Sequence, residues 1–542
     1  MAACKKNSNS APATGGATTF AYIKTTVNDN PYTGSSLFNA PANPTVEVFF
    51  SQPIDKSTVA ASVSITGGTT PVTGNFSYPS DTALIIKPST PLQGLTNYTI
   101  TISSSLKSVS AVALNTTVKI NLTTGIDSSD KFPAITDSAL LTLVEQQTFK
   151  YFWDLGDPTS GLARERFSDQ TTVTTGGSGF GIMSMLVGVQ RNFITRADAL
   201  SRITTIVNFL TNKCSTYHGA FSHWINGTTG ATIPFGTQDN GGDIVETSYM
   251  LQGLLCARQY FNSATDPGET NLRNAINTIY NKVDWTWYRQ NGQNTLYWNW
   301  SPNYNFAINV QVGGWDEALI TYVMAASSTI DSSTIPKIVY DNGWAHNGAM
   351  KNGKSFYGIP LPLGPDYGGP LFFTHYSFLG INPHGLSDAY ANYWTQDTAH
   401  ARINYLYCVN NPKKYNGYSN LCWGLTASDE QSGYSAHAPN NDDGVISPTA
   451  AISSLPYTPT ESMNALRFFY YKLGDKIWKQ YGFVDAFNLT NIWYDTDFLA
   501  IDQGPQIVMI ENYRTGLLWN LFMSCPEIKA GMTKLGFQGP NL

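Results

Sequence analysis

The stretch DNGGDIVETSYMLQG, Asp239 to Gly253, decides the reading of this chain. Gly241 and Gly242 permit a tight turn, after which Asp243 reads as a helix N-cap and Glu246 as the third helical residue. The residues that follow are apolar on nearly every side, as in a helix buried all round. Asp followed three residues later by Glu is a capping box, and acids in a first turn suit the helix macrodipole, so a purely structural role accounts for this stretch in isolation. Repetition shifts the weight toward chemistry. GGWDEALITYVMAAS sets Asp316 and Glu317 at the start of another apolar helix. DFLAIDQGPQIVMIENYRTGLLWNLF sets Asp497 and Asp502 ahead of a third, with Pro505 suited to its first turn.

Two kinds of helix alternate from Asp137 to the C-terminus. Amphipathic candidates are Asp137–Trp153, Arg196–Thr211, Asn271–Arg289 and Thr460–Leu473. Candidates apolar nearly all round are Gly179–Val189, Ile244–Phe261, Trp315–Ser327 and Gln506–Met523. One-striped helices pack on a surface and all-round apolar ones are buried, so the alternation predicts an outer ring around an inner ring, an (α/α)6 toroid. Inner helices then run the same way, and Asp243, Glu246, Asp316, Glu317 and Asp502 are expected to converge at one end. Long loops rich in Gly, Pro and aromatic residues, at Trp285–Phe306, Gly343–Gly385 and Gly424–Ala451, are expected to wall a groove over that acidic mouth.

The chain before Asp137 reads differently. From Phe20 to Gly125 the segments Thr45–Ser51, Ala61–Gly68, Thr82–Pro88 and Asn97–Ser103 are short, rich in β-branched residues and separated by turn residues. In NYTITIS, Tyr98, Ile100 and Ile102 share one face. This predicts a small all-β sandwich of immunoglobulin type over residues 20–125, a linker at 126–136 and a mainly α domain at 137–542. FFSQPIDKSTV resembles Ig-like modules of bacterial surface proteins, and no chemistry is expected there. Residues 1–19 read as a tether. Cys4 follows small residues and precedes a polar stretch, resembling the processed end of a bacterial lipoprotein, so a periplasmic or outer-membrane location is expected, with membrane contact only through a lipid on Cys4.

Composition narrows the chemistry. With 542 residues, 42% hydrophobic and only 13% charged, the chain is ordered and large enough for at least two domains. A net charge of −6 without a basic run argues against a nucleic-acid partner. The six cysteines are widely spaced and form no CxxC pair, so neither a disulfide framework nor a zinc finger is expected, and Cys256 and Cys408 read as core. Neither a GxSxG nor an HExxH motif is present, and GSGFG at Gly177–Gly181 lacks the Lys-Ser/Thr of a phosphate loop. His218 and His223, five apart, are poor metal spacing. No cofactor and no metal are expected, and a monomer is. Aromatic residues make up 13%, which suits either a large core or sugar-stacking walls. Glycoside hydrolysis needs one protonated and one ionised carboxyl, and the acidic cluster supplies candidates. Arg164 and Arg166 in SGLARERF are candidates either for sugar hydroxyls or for ion pairs with Glu165.

The stretches YFWDLGDPTSGLARER, DNGGDIVETSYMLQGLLCARQYF, GGWDEALITYVMAASS, GLTASDEQSGYSAHAP, DDGVISPTAAISSLPYTP and AIDQGPQIVMIENYRTGLLWNLFMSCPEI resemble, in order, the bacterial glycoamylase-like domain family, which includes β-1,2-glucanases. The resemblance covers Asp137 to the C-terminus and implies the (α/α)6 fold and anomer-inverting hydrolysis of β-1,2-glucan, whether inside the chain or by release of sophorose from an end. It implies Glu317 as general acid, with the base open between Asp502 and the Asp243/Glu246 pair. Asp239, Arg164, Arg166, Trp315 and Glu511, which lie in the matching stretches, are expected to contact substrate. A different glucan linkage, or non-catalytic glycan binding by a lipoprotein, are the competing expectations.

Overall fold

Strands begin where β-branched residues alternate with polar ones. A computed structural model describes residues 19–542 and divides them into two units, one ending at Ser128 and the other running from Ser129 to Leu542. Cys4 lies outside the described residues. In the first unit, a sheet ordered β2-β1-β4-β7-β6 joins Asn30–Pro31, Tyr22–Val27, Val46–Phe50, Ala83–Pro88 and Gly74–Ser80. A second, ordered β3-β9-β8-β5, joins Leu37–Ala40, Val118–Thr124, Asn97–Ile102 and Val63–Gly67. Their inner faces meet through Phe20, Val46, Val48, Leu84, Ile86, Ile100, Ile102 and Ile120, all fully buried. Tyr98, Ile100 and Ile102 do share the inner face, as their period of two requires. This is an Ig-like β domain. A one-turn helix, α1 (Val59–Ser62), precedes β5.

The second unit is mainly helical. Its helices are α2 (Asp137–Trp153), α3 (Thr175–Gln190), α4 (Arg196–Asn212), α5 (Ile244–Tyr260), α6 (Pro267–Lys282), α7 (Leu319–Ala326), α8 (Lys337–Val339), α9 (Tyr393–Asn410), α10 (Pro448–Ser453), α11 (Pro459–Ile477), α12 (Ala500–Thr515), α13 (Leu517–Met523) and α14 (Pro526–Leu535). α3, α5, α7, α10 and α12 are buried on nearly all sides. α3 packs between α5 and α12, α5 also meets α7, and α12 also meets α10. The amphipathic α4, α6 and α11 bury one stripe each, and α2 covers α3 and α12. The helix pair α3/α5 touches backbone to backbone. A Cβ at Gly253 would lie 2.1 Å from the Gly179 carbonyl oxygen, and one at Gly179 would lie 2.1 Å from that of Tyr249. Cys256 and Cys408 are fully buried in α5 and α9. Among the described residues no helix is long and apolar enough to cross a membrane.

Several helix boundaries differ from the periodicity. Gln506–Met523 is two helices, because Gly516 adopts a left-handed conformation (φ 71°) that ends α12. α12 starts at Ala500, so Asp502 lies within its first turn and Pro505 falls in the second turn, where it offers no N–H to the Ile501 carbonyl. The cap of α2 is Thr136, whose hydroxyl accepts from Ala139 N, and Asp137 is the first helical residue. The polar residues 129–136 are docked on the helical unit: Phe132 stacks on Tyr470 and Lys131 N donates to the Tyr471 carbonyl.

Candidate active site

The N-terminal ends of α3, α5, α7 and α12 open onto one cavity of about 450 Å³. Thr174 reaches it from the residue before α3, Glu246 from the first turn of α5, Glu317 from just before α7, and Leu499 and Ile501 from the start of α12. All three long loops contribute walls: Trp298 from the first, Phe372 and Tyr376 from the second, and Tyr434 with Ala427 and Ala436 from the third. Trp224, which opens a small strand pair (Trp224–Asn226 with Thr232–Ile233), and Phe235, just after it, complete the aromatic lining. Glu165 and Arg166 supply charge at the edge.

Asp243 is fully buried. One of its oxygens accepts from Val245 N and Glu246 N (both 2.9 Å), which is the expected N-cap; the other meets His223 Nδ1 at 3.0 Å and accepts from Trp298 Nε1 at 3.2 Å. The capping box is half made. Glu246 does not reach back to the cap; its Oε2 crosses to α3, accepting from Gly176 N at 2.6 Å and Thr174 Oγ1 at 3.4 Å. That contact depends on the close α3/α5 packing. Burial raises the Glu246 carboxyl, with the Asp243 charge adding and His223 opposing. Burial alone would push His223 down, but Glu246, its bond to Asp243 and the Asp239 charge together lift it to about 9, so the imidazole is cationic at neutral pH.

Glu317 lines the same cavity as Glu246 and His223. Its backbone carbonyl accepts from Tyr249 Oη at 3.3 Å and from Ser377 Oγ, which clamps the residue ahead of α7. Burial lifts its carboxyl to about 7, and the Glu246 and Asp243 charges add to the rise. Glu317 is therefore half-protonated near neutrality, the state a general acid needs. Asp316 does not join the cavity; its Oδ1 accepts from Ala318 N at 2.8 Å and caps the turn.

Asp502 is buried in α12, outside the cavity lining but near Tyr376 and Tyr434, whose hydroxyls are raised by burial and then by the Asp502 charge. Burial lifts Asp502 to about 7, while a hydrogen bond with Asp485 pulls it back. Asp485 is fully buried, stands well above the usual carboxylate range through burial and the Asp502 charge, and accepts from Asp429 N at 2.8 Å. Arg166 bridges Glu165 (2.8 Å) and Asp429 (3.0 Å), with Asp497 at 3.7 Å. Asp497 otherwise holds the chain by accepting from Ser168 N and Oγ.

Residues 309–526 match the glycoamylase family model described as "Putative glucoamylase", and residues 24–124 match a bacterial Ig-like domain. The solved endo-β-1,2-glucanase of Chitinophaga pinensis, in complex with sophorotriose and glucose, is 51% identical, covering 76% of this chain and all of that one, with a TM-score of 0.73. The chain belongs to the glycoamylase-like family. The β-1,2-glucanase of Parabacteroides distasonis is 36% identical over 95% of this chain and 72% of that one, with a TM-score of 0.72. An exo β-1,2-glucooligosaccharide sophorohydrolase (non-reducing end) of Parabacteroides distasonis is 45% identical over 430 residues, 75% of this chain. The match spans 59% of that relative's length.

The structure of this glycoamylase-like chain sorts the residues expected from sequence. Glu317, Glu246 and Arg166 line the cavity. Asp243 lies directly behind His223 and Trp298. Asp239 is set back, partly exposed, accepting from Asn299 Nδ2 at 2.9 Å, and is raised to about 6 by burial and by Asp243. Three expected substrate contacts are corrected. Arg164 is buried and donates to the backbone carbonyls of Leu155 and Gln170, because its strand bridge to Val173 turns it inward. Trp315 is buried with Nε1 3.3 Å from His400 Nδ1, within reach of Phe378 and Tyr393. Glu511 lies nine residues along α12 from Asp502, about 13 Å towards the other end of the helix. There Arg191 Nε donates to it at 2.6 Å, in a buried network with Glu145 and Arg514. By spacing alone His223 offers only poor metal ligation. Its pairing with Asp243 has no signal in the spacing, because a loop and a turn separate them in the chain.

Proposed function

We propose that this chain is a glycoside hydrolase acting on β-1,2-linked glucan, on an (α/α)6 toroid formed by the alternating helices. The observation that carries the reading is an aromatic-walled cavity lined by Glu317, raised to about 7, together with Glu246 and with His223, which pairs with Asp243. Family relatives named for β-1,2-glucan support the substrate.

In this reading the rings of Trp224, Trp298, Phe372, Tyr376 and Tyr434 stack on the apolar faces of glucose units. Glu317 gives its proton to the glycosidic oxygen as the bond breaks, offsetting charge on the leaving sugar. A carboxylate on the other side takes a proton from the attacking water, and inversion of the anomeric carbon follows. Asp502 and the Asp243/Glu246 pair are the two candidates for that base. Asp502 stands behind the tyrosine wall, so its action requires a water or sugar hydroxyl to relay the proton. Burial outweighs the helix dipole throughout: the α5 N-terminus favours ionised Glu246, yet burial still raises it.

Digestion of linear β-1,2-glucan, with chromatography of the products and NMR of the first-formed anomer, tests the proposal. Turnover with an inverted first anomer is expected. No turnover of this glucan alongside hydrolysis of starch overturns the substrate assignment. A ladder of products indicates internal cleavage, and sophorose alone indicates release from an end.

A further inference from the structure

We propose that the chain holds one divalent ion of the zinc type between Glu430, His437 and Asp443. These residues surround the hairpin formed by Ala427–Glu430 and Gly433–Ala436: Glu430 ends its first strand, His437 follows its second, and Asp443 lies in the next turn. One ligand atom from each lies within 4.8 Å of the other two, and Glu430 Oε2 is 3.9 Å from His437 Nε2. None of the three lines the cavity described above, so the inference does not rest on the hydrolase reading.

The independent observation is the imidazole itself. His437 is 1% exposed, and neither of its ring nitrogens meets a hydrogen-bond partner among the described residues. A neutral imidazole carries one donor and one acceptor, and each buried group left unmade costs about 1–3 kcal/mol. Folded proteins rarely tolerate such groups without an unseen partner. A metal ion on Nε2 removes the acceptor deficit, and the two carboxylates balance its charge. One imidazole nitrogen with two carboxylates suits zinc or a neighbouring first-row ion, whereas calcium demands six to eight oxygen ligands. Asp443 is exposed and Glu430 partly so, which gives an ion a route in and leaves room for water as a further ligand. A metal there would tie the end of the first strand to the loop after the second. The same hairpin presents Ala427, Tyr434 and Ala436 to the cavity, so the ion would stiffen one of its walls.

The full chain, dialysed against a chelator and titrated with zinc chloride against a chromogenic competitor, provides the test, with metal content measured in parallel. One tightly held equivalent is expected, with a rise in Tm on zinc addition. His437→Gln and Asp443→Asn should each weaken that binding at least tenfold and abolish the Tm rise. Asp443 is on the surface, so its variant still decides the matter if the buried His437→Gln chain fails to fold. Absence of zinc binding, or equal binding by wild type and Asp443→Asn, overturns the proposal and leaves an ordered water as the imidazole's partner.

Discussion

Replacing Glu317 with Gln keeps the size and hydrogen-bonding shape of the side chain but removes its proton. With a carboxyl raised to about 7, about nine-tenths of Glu317 is protonated at pH 6 and about one-tenth at pH 8. Wild-type kcat/KM on linear β-1,2-glucan should therefore fall about tenfold between pH 6 and pH 8 from this group alone. The Gln variant should lose about 10²–10⁴-fold in kcat/KM, equivalent to about 2.7–5.5 kcal/mol of transition-state stabilisation. It should also lose the alkaline limb. Stability should move the other way. The folded-state value lies above the unfolded value of 4.5, so the folded chain binds the proton more tightly. The stabilising contribution is full below about pH 4.5 and lost as pH rises to about 7. Glu317→Gln should therefore raise stability at pH 8 by on the order of 1–3 kcal/mol, with the difference vanishing near pH 4.5. Reducing-sugar assays across pH, beside thermal melts of both proteins, make the measurement. Retention of more than a tenth of wild-type activity with an unchanged alkaline limb would refute the assignment of the acid.

Further expectations concern the neighbouring groups. Asp502→Asn should abolish the acidic limb of the pH profile and cost about 10²-fold or more if Asp502 is the base; a normal acidic limb transfers that role to the Asp243/Glu246 pair. Gly253→Ala drives a methyl into the Gly179 carbonyl, which cannot yield, and should cost about 1–3 kcal/mol or more by chemical denaturation while displacing Glu246. An unchanged midpoint would show that the α3/α5 contact is looser than described. Glu511→Gln takes from Arg191 its buried charged partner at 2.6 Å and should cost about 3–5 kcal/mol with kcat/KM preserved in the folded fraction. A raised KM at unchanged stability would restore a substrate contact for Glu511.

Much was legible in sequence where local rules and burial agree. Asp243 as N-cap, Glu246 in the first turn, the buried α5 and the alternating face of Asn97–Ile102 all follow from periodicity and capping, which are properties of neighbours in the chain. The family's ordered motifs pointed to Glu317 among the acids. Other features were not legible. The sequence pattern marks only two strands in each sheet of the Ig-like unit; Tyr22–Val27 of the first sheet escapes it, because Lys24 and an exposed Ile23 mask the alternation. α9 and α14 were not anticipated, and α9 buries tyrosines, Gln396, Asp397 and His400 rather than an aliphatic stripe.

What sequence alone determined is thus the set of helices buried all round, the acids at their entrances and the division into a β unit and an α unit. Only tertiary structure decided which acids face substrate space. The side chains of Arg164, Trp315 and Glu511 stand in the same motifs as the cavity residues. They are turned elsewhere by a strand bridge, a buried aromatic layer and the length of a helix. Direction and depth, unlike spacing, depend on what packs opposite, and residues such as His223 and His437 take their surroundings from chain segments that no local pattern connects.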